Sequence, residues 1–227
     1  CPMKLDLHRP EARATVATIV SLAWPTIIEQ VMQTAVQYID TAMVGALGTH
    51  ATAAVGATGT VGWLVVSTFF ALGIGFLSMI ARACGAGDRE SARKTASQAV
   101  FVVLAAGLVS TLMPLFLSQK IPVWMQVDES IQRLAGTYFF ILYLPMLPRA
   151  ATGIFGTLLR AAGDTKTPMK VGVMVNIINI ILNFLLIYPT RTVSLLGLEM
   201  TLFGAGWGVV GAAVASAVAM TTGGVVI

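Results

Sequence analysis

The 227-residue chain is 56% hydrophobic and only 11% charged, with a mean hydropathy of +0.84. Roughly a quarter of an ordinary soluble domain is charged, so this composition excludes a water-solvated fold and predicts an all-α polytopic protein whose solvent is the lipid bilayer. The net charge of +4 does not make nucleic acid an expected partner, because the basic residues sit in short segments between apolar runs with little aromatic interleaving.

Apolar runs read against turn signals predict six spanning helices at about 14–44, 52–80, 93–117, 131–159, 168–189 and 206–227. The first run follows a polar stretch (Lys4, Asp6, Arg9, Glu11, Arg13) and contains Pro25, Glu29 and Asp40, so it reads as a retained helix rather than a cleaved signal. The connection from Pro189 to Ala205, with Arg191 and Glu199, is longer than the others and is expected to carry a short interfacial segment. The chain opens on Cys1 and closes inside the apolar run Val225-Val226-Ile227, so a piece of a longer protein is expected, cut at its C-terminal end.

Lysine and arginine sort by alternate loops. Lys4, Arg9, Arg13, Arg82, Arg89, Arg93, Lys94, Arg160, Lys166 and Lys170 fall in the N-terminus and after the second and fourth helices, against Lys120, Arg133 and Arg191 on the other side. Basic flanks stay in the cytoplasm, which predicts a cell-membrane protein with its N-terminus inside. Cys1 and Cys84, one terminal and one in a basic loop, form no disulfide framework or metal cluster and read as incidental thiols. Gly85-Ala86-Gly87-Asp88 follows no strand and lacks a Walker-type lysine-serine pair, which argues against a nucleotide site. Paired small residues, as in Gly153-Ile154-Phe155-Gly156 and Gly208-Val209-Val210-Gly211, read as close helix packing.

The first helix carries side chains that lipid does not tolerate: Glu29, Gln33, Gln37 and Asp40. At about 100° per residue Asp40 returns to within roughly 20° of Glu29, and the glutamines lie about 40° to 80° away, so the four form one stripe expected to line a cavity. The two carboxylates are about 16 Å apart along the axis, too far for a shared proton or metal. Asp40 reads either as a cap at the outer end of the helix or as an ion or proton site, and Glu29 as a cavity residue or half of an interhelical ion pair. Pro25 predicts a bend in this helix, and Pro145 and Pro148 disturb the fourth next to Arg149. Arg149 lies too deep to reach the cytoplasmic interface, and Glu29 is its expected partner. Asn176, Asn179 and Asn183 put three amides on one face of the fifth helix, either as hydrogen-bonding glue or to coordinate sodium or support a protonated Asp40.

Three motifs, in order, resemble the multidrug and toxic compound extrusion (MATE) transporters over nearly the whole chain. They are Pro25 with Tyr38-Ile39-Asp40-Thr41-Ala42-Met43-Val44-Gly45, then Ala81-Arg82-Ala83-Cys84-Gly85-Ala86-Gly87-Asp88, then Leu159-Arg160-Ala161-Ala162-Gly163-Asp164-Thr165-Lys166-Thr167-Pro168-Met169. The resemblance is to the N-terminal lobe. It implies one six-helix half of a twelve-helix exporter, with a C-terminal lobe absent from this chain as a partner, coupled to proton or sodium entry and exporting amphipathic, cationic drugs or metabolites. It further implies that Asp40 serves cation coupling, that Pro25 serves bending, that Asn179 is a polar site on helix five and that Ser216 is a hydroxyl on helix six near it, with sodium held at Asp40 and Asn179 if sodium is the ion. Some members carry an aspartate where this chain has Asn183, which removes a second carboxylate. Arg82, Arg160, Asp164 and Lys166 also match family motifs and read as cytoplasmic loop and topology elements. No cofactor is expected beyond the coupling ion.

The nearest rival is a lipid-linked precursor flippase of the same superfamily, which needs a large cationic cavity where this chain offers only Arg149. A passive channel or structural subunit is a further alternative. A membrane-embedded enzyme is not expected, since paired aspartates at metal spacing and His-rich motifs are missing from the sequence.

Overall fold

The computed structural model describes residues 10–195 and 198–227. Cys1, Lys4, Asp6 and Arg9 lie outside the described residues, as do the side chains of Glu11, Arg191 and Glu199. Eight helices and one hairpin follow in chain order: α1 (Pro10–Gly45), α2 (Thr49–Gly85), α3 (Arg89–Leu117), α4 (Lys120–Trp124), α5 (Glu129–Tyr143), α6 (Met146–Ala161), α7 (Lys166–Leu186), β1 (Pro189–Leu195), β2 (Leu198–Ala205) and α8 (Gly208–Val226). Five of these helices are long and apolar enough to cross a bilayer, and α5 with α6 makes a sixth span bent by 49°. Helices satisfy their backbone hydrogen bonds within the segment, which is what the hydrocarbon interior demands.

The bilayer also explains the surface. Trp63, Phe101 and Phe116 are 75%, 72% and 72% exposed, a cost in water that vanishes against lipid chains. One apolar cluster, with Phe69, Val103, Phe139, Tyr143, Met146 and Ile154, joins α2, α3, α5 and α6, and a second, with Val44, Ala51, Ile187, Val209 and Ala212, ties the ends of α1 and α2 to α7 and α8. Without a hydrophobic drive between helices, contact depends on close approach. Gly211 supplies it between α7 and α8, where a Cβ would stand 2.5 Å from the Leu186 carbonyl oxygen.

The fourth predicted helix is the main departure from the sequence reading. It is two helices, because Pro145 and Pro148 lack N–H groups and Pro145 sits at φ −87°, ψ 34°, outside the helical basin. The broken end is repaired from a neighbour: the Leu147 N–H donates to Thr111 Oγ1 on α3 at 3.0 Å. Pro25, by contrast, lies within one uninterrupted helix. The long connection before α8 is an antiparallel hairpin pairing Thr192 with Thr201 and Val193 with Met200, and a short helix, α4, follows α3.

Two of the sequence motifs have a local physical explanation. In each, a helix ends on a glycine in the left-handed region, Gly87 at φ 72° and Gly163 at φ 93°. The next residue's N–H then turns back to the helix, from Asp88 to Ala83 O at 2.9 Å and from Asp164 to Leu159 O at 2.9 Å. Each aspartate carboxylate caps the following segment, Asp88 accepting from the Ser91 N–H at 2.9 Å and Asp164 from the Thr167 N–H at 3.0 Å. Hydrogen bonding from Ser91 and Thr167 holds both carboxyls below the usual carboxylate range.

Candidate functional site

A cluster of polar side chains joins three membrane helices around Asp40. Asn183 Nδ2 on α7 donates to Asp40 Oδ1 on α1 at 2.6 Å and to Asn179 Oδ1 at 3.2 Å, and Asn179 Nδ2 donates to Ser216 Oγ on α8 at 3.0 Å. The four-residue spacing of Asn179 and Asn183 stacks their amides one turn apart on the same face of α7. Both are buried, Asn183 to 1% exposure. With the Asn179 amide turned over, its nitrogen donates to the two Asp40 oxygens at 3.1 and 3.2 Å while its oxygen accepts from the Ser216 hydroxyl at 3.0 Å. In either orientation the Asp40 carboxylate draws its donors from α7. Asn183 Oδ1 is left buried with no hydrogen-bond partner among the described residues, so the cluster holds an unspent oxygen acceptor next to a carboxylate.

The other predicted polar residues separate from this cluster. Glu29 does not pair with Arg149, as the sequence reading expected. Its carboxylate accepts both hydrogen bonds from Arg160 Nη2, at 2.7 and 2.8 Å, across the interface of α1 and α6. The reason is axial level: Arg149 lies about three turns from Arg160 along α6, and only Arg160 stands where α1 presents Glu29. A notch at Gly172 of α7 receives the Glu29 stem, with Cγ 3.2 Å from where a glycine Cβ would stand. Arg160, read from sequence as a loop and topology element, is therefore an interhelical partner; its depth within the last turn of α6 is the signal that sequence reasoning missed.

The stripe on α1 divides. Asp40 and Glu29 are half-buried against other helices, whereas Gln33 and Gln37 are exposed. Asn176 is partly buried and takes no part in the Asn179–Asn183 network. Arg149 donates to Met220 Sδ on α8 at 3.4 Å. Tyr188, not singled out from the sequence, ties the end of α7 to α1 by donating its hydroxyl proton to the Met43 carbonyl at 3.2 Å.

Six apolar spans enclosing a carboxylate held by amides from one neighbouring helix define a polytopic α-helical membrane protein with a polar site in its interior. The MatE family profile matches residues 25–185, more than half the chain, and the chain belongs to that family. It is 30% identical over 170 residues to a probable multidrug resistance protein NorM of Thermotoga maritima and 28% identical over 167 residues to a probable multidrug resistance protein YpnP of Bacillus subtilis. These matches cover 75% and 72% of this chain but 37% of each relative, so the chain spans well under half the length of the proteins it matches.

Solved structures agree. The chain superposes on a multidrug resistance MATE family transporter of the MOP superfamily in its outward-facing conformation with a TM-score of 0.82 and 28% identity, covering 92% of this chain and 43% of that one. Against an inward-facing conformation of such a transporter the TM-score is 0.73 at 26% identity, covering 88% and 44%.

Proposed function

We propose that this chain is the N-terminal lobe of a cation-coupled secondary antiporter that exports amphipathic, cationic drugs or metabolites by alternating access, with a C-terminal lobe as its partner and Asp40 as the coupling carboxylate. The observation that carries this reading is the Asp40–Asn183–Asn179–Ser216 cluster between three membrane helices. A carboxylate in a membrane interior costs about 2.5 to 3.5 kcal/mol on the insertion scale, and a cap at the end of α1 has no need of two buried asparagines from α7. The cluster offers a carboxylate, two amide oxygens and a hydroxyl, a set of oxygen ligands suited to a hard cation, and its unpartnered Asn183 Oδ1 suits either sodium or a protonated Asp40.

Coupling requires the ion to bind the two conformations unequally. Asp40 lies on the same helix as Pro25, so gain or loss of charge there alters how firmly the outer half of α1 is held to α7, and Pro25, which lacks an N–H, is the weak point at which that half would swing. A flippase or a passive channel lacks a reason to hold a titratable group in this way. Efflux by the complete protein in proteoliposomes, under separately imposed proton and sodium gradients, tests the reading. Asp40→Asn is expected to abolish gradient-driven efflux at normal insertion, and normal efflux by that variant would sink the assignment.

We further propose a plasma-membrane location with the N-terminus in the cytoplasm. Cys84 is exposed at the end of α2, so in a Cys1→Ser background a membrane-impermeant maleimide should label it only after the cells are permeabilised. Labelling in intact cells reverses the orientation.

A further inference from the structure

The last turns of α2 and the first turns of α3 enclose an open cavity of about 520 Å³, lined by none of the residues of the Asp40 cluster or the Glu29 pair. Two cations, Arg82 and Lys94, stand in its wall, with Ser78 and Gln98 one turn deeper on the respective helices. Among the described residues the salt bridge is that of Arg160 with Glu29, so no described carboxylate holds either cation. The carboxylate in the lining, Asp88, is already engaged by the Ser91 N–H at 2.9 Å. Basic flanks that only set orientation need no cavity. Arg89 and Arg93 are of that kind, exposed on the same turns of α3 but outside the cavity wall.

Below the cations the two helices change character. On α2, Gly75 and Ala71 fall within about 20° of Arg82 around the axis, and Ser78 within about 40°. Both Gly75 and Ala71 are exposed, and a Cβ at Gly75 would meet nothing within 4 Å. On α3, Gln98 and Phe101 follow Lys94 at four- and three-residue steps on one face, and Phe101 is 72% exposed. A strip of small side chains therefore runs from the cavity about 10 Å further along α2, into a span whose exposed surface meets lipid.

We propose that this cavity binds an anionic phospholipid of the adjoining leaflet, with Arg82 and Lys94 holding the phosphate while an acyl chain lies over Gly75 and Ala71. Arginine grips two phosphate oxygens with its planar fork and lysine adds a point charge, and basic pockets between helices at a membrane interface suit lipid headgroups. A free phosphate would use the cations and leave the strip unused. The inference rests on the membrane-spanning fold and not on the coupling role of Asp40.

The complete protein, purified and delipidated in detergent, is titrated with dioctanoyl phosphatidylglycerol and with dioctanoyl phosphatidylcholine, which share their chains, and bound lipid is counted by native mass spectrometry. The wild type is expected to prefer phosphatidylglycerol by about fivefold for each cation in the wall. Arg82→Gln with Lys94→Gln should remove most of that preference, and Arg82→Lys should retain part of what Arg82→Gln loses. Arg89→Gln with Arg93→Gln removes the same charge from outside the cavity and should leave the preference nearly unchanged. Gly75→Leu should weaken both lipids together, because it fills the strip and leaves the cations in place; thermal midpoints show that each variant is folded. Equal binding of the two lipids by the wild type overturns the proposal. So does an equal loss of preference in the two double variants, the mark of a diffuse surface potential. Displacement of phosphatidylglycerol by equimolar sodium phosphate, or undiminished lipid binding by Gly75→Leu, assigns the cavity to a free anion and overturns it as well.

Discussion

Neutralising Glu29 should loosen α1 from the rest of the bundle. The carboxylate receives two hydrogen bonds from one guanidinium nitrogen, at 2.7 and 2.8 Å, with side-chain exposures of 17% for Glu29 and 24% for Arg160. At 2.7 Å and an effective dielectric of roughly 20 the gross Coulomb attraction is about 6 kcal/mol. Most of this is offset by desolvation of both ions, and a further part is screened because neither is fully buried. A net loss of about 2 kcal/mol for Glu29→Gln is therefore expected, most of it the cost of leaving Arg160 half-buried with its Nε already lacking a partner. The assay is thermal unfolding of the detergent-purified protein for Glu29→Gln, Arg160→Gln and the double variant, which isolates the pairwise term. We expect a coupling of about 1 to 2 kcal/mol, and recovery in the charge swap Glu29→Arg with Arg160→Glu. Strictly additive single effects, or rescue of Glu29→Arg by Arg149→Glu instead, would refute the reasoning.

Other consequences follow from the same geometry. Replacing Asn183 by Leu removes the 2.6 Å donor to Asp40 and should cost about 1 to 3 kcal/mol for a buried acceptor left unsatisfied, read as a lowered midpoint with normal membrane insertion; an unchanged midpoint contradicts the network. Gly211→Ala should be destabilising, since its Cβ would meet the Leu186 carbonyl oxygen at 2.5 Å, whereas Gly153→Ala, with nothing within 4 Å, should be tolerated. Equal melting temperatures for the two alanine variants would remove the packing argument. At the N-terminus of α3, the Asp88 carboxyl is held below the usual range by hydrogen bonding from Ser91. A depressed folded-state value means that its contribution is present at neutral pH and lost as pH falls through that value, so the stability gap between wild type and Asp88→Ala should close on acidification; a gap that widens in acid reverses the sign.

The two loop motifs were legible because their causes are local. A left-handed glycine followed by a capping aspartate needs no information beyond a few residues, yet the sequence reading took both stretches only as loop elements and ended its second helix at about 80, where α2 runs on to Gly85. Asn179 and Asn183 were equally legible as a pair, since a four-residue spacing fixes their common face on any α-helix. Glu29, Gln33, Gln37 and Asp40 show the limit of that approach. Angular position predicted one stripe, but the stripe is wider than the contact that neighbouring helices make with α1, so the carboxylates are half-buried and the glutamines left exposed. Asn176, in the same face as its two neighbours by angle, stays outside the network for want of a partner at its level.

By itself the sequence determined the six spans, the class of fold and the family, because apolar length, hydrogen-bond satisfaction in hydrocarbon and helix-end chemistry are properties of contiguous residues. Only the tertiary structure decided who pairs with whom. Partner choice depends on axial level as well as facing, and the proline break between α5 and α6, with its 49° bend, re-aims every side chain after Pro145. Arg160 is thereby set against Glu29 while Arg149 turns to Met220, a distinction that no angular count along a straight helix contains.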